Sequence, residues 1–117
     1  MAIQKLIKLP NGTEGDHIVL GNHGFSKFAR YCRAEFLLFA SAKAREDAPD
    51  HNMGVVATMH LEGAQFDKYL APELINEHGL PDQLYKALMG GERSLPGLGI
   101  TRDDWMQKVK IGTGKQA

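Results

Sequence analysis

The sequence predicts an α+β fold: a small three-stranded antiparallel sheet, made of a β-hairpin plus one strand, packed on a long central helix and followed by short helices. Three observations predict it. Residues 2–9 alternate in hydropathy. Residues 21–48 carry phenylalanines at helical spacing. From Ala64 onward, proline and glycine cut the chain into short helical pieces.

In the first segment Ile3, Lys5, Ile7 and Leu9 share one face and Gln4, Leu6 and Lys8 the other. That two-residue period, with branched side chains, reads as a strand. Pro10–Asn11–Gly12 is a turn signal, extended by Gly15–Asp16, and His17 to Leu20 forms the returning strand of a hairpin.

Next comes the central helix, expected over residues 26–47. Phe25, Phe28, Cys32, Phe36 and Phe39 fall within about 40° of one line at 100° per residue, a core-facing stripe. Ser26 suits the N-cap, and Pro49 stops the helix by pushing the residue before it out of the α region. Leu37 and Leu38 lie on other sides of such a helix, so it is apolar nearly all round and buried on more than one side. Either a C-terminal helix covers the second side, or Leu37 and Leu38 mark a seam between copies of the chain.

After the loop Pro49–Gly54, Val55 to Leu61 is the third strand, with Val55, Ala57, Met59 and Leu61 facing the helix. Gln65 to Leu70 is a short helix. Pro72 starts another that Gly79 ends, and Pro81 starts a third that runs through Met89 to Gly90–Gly91. Ser94 to Ile100 is a loop. Thr101 resembles a capping-box residue for a last helix from Arg102 to about Val109, burying Trp105, Met106 and Val109. Ile111 is a candidate edge-strand anchor.

The 117 residues fit one domain, able to bury about two thirds of its unfolded surface. Fourteen basic residues balance fourteen acidic ones. This zero net charge argues against a protein built mainly to grip nucleic acid and against membrane attachment by charge. It also offers little electrostatic protection against self-association. The single cysteine, Cys32, excludes a disulfide framework within one chain and points to a reducing compartment. Met1 to Lys5 is not followed by the apolar run of a signal peptide. No apolar stretch reaches bilayer length, so the expected location is cytoplasmic.

The loop Gly21–Asn22–His23–Gly24, followed by Lys27 and Arg30, is a candidate anion site. Free N–H groups, a helix dipole and cations would converge there. Its spacing matches neither the dinucleotide fingerprint nor the P-loop, and a tight turn with a solvated basic flank explains the same residues. The five histidines show no zinc-motif pairing, and one cysteine makes no thiolate site. No metal and no cofactor is expected. Serines 26, 41 and 94 form no nucleophile elbow. The segment 82–89 has Lys86 as its one base, too few for a DNA-reading helix.

With no usable catalytic constellation, the residues favour a small non-enzymatic interaction protein: an oligomeric subunit, adaptor or inhibitor. Short chains without a family signature are common among phage and mobile-element accessory proteins. A protein partner or a second copy is the expected partner, with no membrane and with nucleic acid disfavoured. The alternatives are an anionic-ligand-binding protein or enzyme using Gly21–Gly24, with His23 as acid/base, and a DNA-binding regulator.

Overall fold

A computed structural model describes residues 2–92 and 94–105. The element order is β1 (Ile3–Lys8), β2 (Glu14–Ser26), β3 (Tyr31–Phe39), α1 (Ala42–Asp47), β4 (Val55–Glu62), α2 (Ala64–Leu70), α3 (Pro72–His78), α4 (Leu80–Met89) and β5 (Ser94–Pro96). The five strands form one antiparallel sheet in the order β1-β2-β3-β4-β5, curled into a half-barrel. The expected three-stranded sheet on a long central helix is therefore wrong, although the fold is still α+β.

The first hairpin forms where the alternation and the turn residues place it. Gly12 takes a left-handed φ of 90°, the conformation for which a glycine suits that turn. Asn11 Oδ1 accepts from the Thr13 N–H at 3.0 Å. β2 then runs past Leu20, through the residues expected to form a loop, as far as Ser26. Its pairing with β3 slips between Leu20 and His23, a bulge at Gly21–Asn22.

The largest correction concerns residues 26–47. Only residues 42–47 are helical; Ser41, not Ser26, is the N-cap, its Oγ accepting from Ala44 N–H at 3.0 Å. The rest is the end of β2, a turn and β3. An i, i+4 pair such as Cys32 and Phe36 shares a face in a helix and in a strand alike, because four is also an even number. Only odd spacings discriminate, and those separate. Phe36 lies in the core, Phe39 pairs across the other face with His17, and Phe28 is 99% exposed. Cys32, Ala34, Phe36 and Leu38 are buried, whereas Arg33 is exposed and Glu35 half-buried between them. A period of two in an aromatic-rich segment is the strand signature.

β4 lies where expected, with Ala57, Met59 and Leu61 against the core, but at its start Val56 is the fully buried core residue and Val55 is half-buried, the reverse of the expected alternation. α2 and α4 pack on one another and close the inner face of the sheet with Phe66, Leu70, Leu84, Tyr85, Ala87 and Leu88. α3 buries no residue fully. The expected loop at 94–100 contains β5, which lies beside β4 because residue 97 is glycine. A Cβ there would sit 2.2 Å from the Val55 carbonyl oxygen. Residues 102–105 make a helical turn, with Asp104 N–H donating to Thr101 Oγ1 at 3.2 Å. Trp105 is buried and donates its indole N–H to Ser94 Oγ. Met106, Val109 and Ile111 lie outside the described residues. Among the described residues no helix is long and apolar enough to cross a membrane.

Candidate functional site: the distal β2–β3 arm

Beyond the bulge, β2 leaves β1 behind and continues beside β3, which β4 still flanks on its other side; a turn at residues 27–30 joins β2 to β3. The turn is held from three sides. Ser26 Oγ accepts from Ala29 N–H at 3.3 Å. Arg30 adopts a left-handed φ of 50°, and its carbonyl accepts from Gly63 N–H at 3.3 Å. Its guanidinium forks onto the Asp67 carboxylate of α2, Nε to Oδ1 at 3.2 Å, with a second bond from Nη2. The turn is thus fixed to the start of α2, yet Phe28 at its tip projects into water at 99% exposure.

Beside the tip lies an apolar groove of about 360 Å³. Phe25, Phe66, Leu70, Pro72 and Ile75 line it, and Lys27 and the Arg30–Asp67 pair rim it. Phe25 is still 40% exposed although its ring stacks on Phe66 with centroids 5.5 Å apart. A second, shallow groove of about 530 Å³ runs along Asn22–Ser26, with Tyr31 and Arg33 on its far side. On the outer face of the sheet Tyr31 Oη and His60 Nδ1 share a hydrogen bond at 2.6 Å. Arg33 pairs with Glu35 at 3.0 Å.

The residues expected to form an anion site are gathered on this arm, without the helix terminus that the expectation relied on. Gly21 and Asn22 form the bulge, His23 and Gly24 are strand residues, and Lys27 and Arg30 flank the tip. No helix begins here, so there is no helix N-terminus or dipole to hold an anion, and Arg30 already has a carboxylate partner. Leu37 and Leu38 do not share an outward seam. Leu38 is fully buried in the core, and Leu37, on the other face, packs where Gly21 has no side chain.

Cys32 is buried, and burial pushes its thiol up to about 11, so it is a neutral, inaccessible thiol at pH 7. His17, His23 and His60 do not converge: His17 faces Phe39, His23 faces Ala34 and His60 faces Arg33 in the strand registers. Among the described residues no group of three His, Cys, Asp or Glu side chains is placed to hold a metal ion. Phe28 was missed as an exposed residue because its spacing fits the helical stripe and the turn around it contains neither glycine nor proline. No family model, curated protein or solved structure matches this chain.

Proposed function

We propose that this is a non-enzymatic interaction protein, a subunit, adaptor or inhibitor, that works through its distal β2–β3 arm. The observation that carries this reading is Phe28, wholly exposed on a turn anchored to α2 and adjoining an apolar groove. An isolated exposed apolar residue is ordinary, but a continuous patch marks an interaction site. Aromatic anchors with a nearby cation are the usual energetic centre of a protein interface, and Phe28, Phe25 and Lys27 have that composition. The zero net charge lets such a surface meet protein partners of either sign. A cytoplasmic location and a role as an accessory protein belong to the same reading.

The test compares wild type with Phe28→Asp. Phe28 buries nothing in the chain, so the variant keeps its melting temperature within a few degrees. Peptides selected from a random library on wild type, and any self-association seen in solution mass, are expected to weaken by at least tenfold. Equal binding and equal mass for both proteins would overturn the reading.

A further inference from the structure

The groove beside Phe28 is apolar within and rich in donors at its rim. Phe25, Phe66, Leu70 and Ile75 wall it. Its two sides stay open: Phe25, on the strand side, is 40% exposed, and Ile75, on the helix side, is half-buried. Leu74 is half-buried as well, so α3 lacks a full partner for its apolar residues. Three charged side chains line the same groove, Lys27, Arg30 and Asp67, and they do not cancel. Arg30 donates from Nε and Nη2 to the two Asp67 oxygens. A guanidinium has five N–H donors, so the Nη1 donors remain without a protein acceptor among the described residues. Lys27 has no ion pair among the described residues either. The rim thus carries one cation more than its single carboxylate, with N–H donors to spare and both carboxylate oxygens engaged.

We infer that this groove takes a linear acidic segment of a partner protein. A large apolar side chain of that segment sits between Phe25, Phe66 and Ile75, and an Asp or Glu close by in the segment meets Lys27 and Arg30. The inference rests on the reading of the arm as an interaction surface and names the chemistry of its partner. The groove holds about 360 Å³, at the low end of the roughly 300–1,000 Å³ of ligand pockets, which suits one or two side chains and not a folded face. A chain that runs on from the groove over the tip also covers Phe28, whereas a small molecule in the groove leaves that ring in water. Apolar anchors supply most of such an affinity, and charge supplies the choice of partner. A carboxylate here accepts charge-assisted hydrogen bonds beside an apolar wall, where they are stronger than in open water. A basic segment meets like charge at Lys27 and competes with Arg30 for Asp67, so it is rejected. Zero net charge leaves no long-range field to override this local one.

The test is a random peptide library displayed on phage, panned separately on wild type and on Lys27→Glu. Lys27 is exposed, so the variant removes no packing and keeps the wild-type melting temperature. Wild type is expected to enrich peptides with Asp or Glu within a few positions of Leu, Ile, Phe or Trp. The same peptides, synthesised, are expected to bind Lys27→Glu about five- to tenfold more weakly, the effect of turning one partly exposed attraction into a repulsion. On wild type the strongest of them is expected to shift the amide resonances of Phe66, Leu70 and Ile75. Peptides without an acidic excess, equal affinity for Lys27→Glu, shifts away from α2 and α3, or no enrichment at all would overturn the inference. So would a solution mass that doubles with concentration and falls back when the peptide is added, which would put a second copy in the groove. Phe28→Ser, which changes no charge, separates the two readings. If it weakens the selected peptides and Lys27→Glu does not, the arm remains an interaction surface and the acidic partner falls. If neither variant weakens them, both readings fall.

Discussion

Leu37 and Leu38 are adjacent in sequence and lie on opposite faces of the sheet. Leu38 is fully buried and Leu37 half-buried. Leu38→Ala is expected to cost about 2–5 kcal/mol through lost burial and the cavity left behind. Leu37→Ala is expected to cost about half of that or less, since its site is already partly open; urea unfolding at equilibrium measures both. His17 gives a residue-level pH dependence. It is buried under α1, with its Nδ1 unpartnered, Arg45 Nη1 3.5 Å from its Nε2 and the Phe39 ring beside it. Burial, with a smaller contribution from the Arg45 charge, lowers its pKa below 6.5, while Asp16 partly opposes the shift. The unfolded chain therefore takes up the proton first. Stability is undiminished by this group above pH 6.5, falls as pH drops below it, and levels off beneath the lowered folded value. His17→Gln is expected to flatten melting temperature against pH over that window. An unchanged slope would assign the effect to other groups.

Among the elements, β2 organises the molecule, and it was only half legible. The alternation of residues 2–9, the Pro-Asn-Gly turn, the 55–61 strand and the three short helices could be read because each signal is local and unopposed. Pro72, Pro81, Gly79 and Gly90 mark helix ends in the structure as they do in the sequence. β2 beyond Leu20 could not be read, since Gly-Asn-His-Gly is turn chemistry by composition, and the pairing with β3 overrides it. β3 was hidden because Cys32–Phe36 spacing satisfies two periods at once. β5 is too short to show a period at all. The candidate site was legible in part: Gly21 to Arg30 was singled out, but for a helix terminus that does not exist. The element-scale prediction concerns the bulge. Tyr85→Phe removes the acceptor of the Leu20 N–H and is expected to cost about 1–3 kcal/mol, the range for a buried donor left without a partner. Exchange of the Leu20 amide is expected to accelerate more than that of Ile18. Uniform acceleration would show that the bond does not hold this part of β2.

At the scale of the whole molecule, α2 and α4 close the inner face of a curled sheet, and α1 packs against its other face beside His17 and Phe39. α2 reaches the β2–β3 turn through Asp67 and Phe66, yet Phe28 stays fully exposed, Phe25 40% exposed and residues 22–24 exposed at the margin of that cover. With fourteen charges of each sign, the chain has no net repulsion to keep copies apart. The arm thus presents an apolar tip on a neutral molecule, and the proposed interaction, with a protein partner or a second copy, rests on those two properties. The most direct measurement is the affinity of library-selected peptides for wild type and Phe28→Asp, side by side. The account predicts binding at least tenfold weaker for the variant. Equal affinity for both proteins would contradict it.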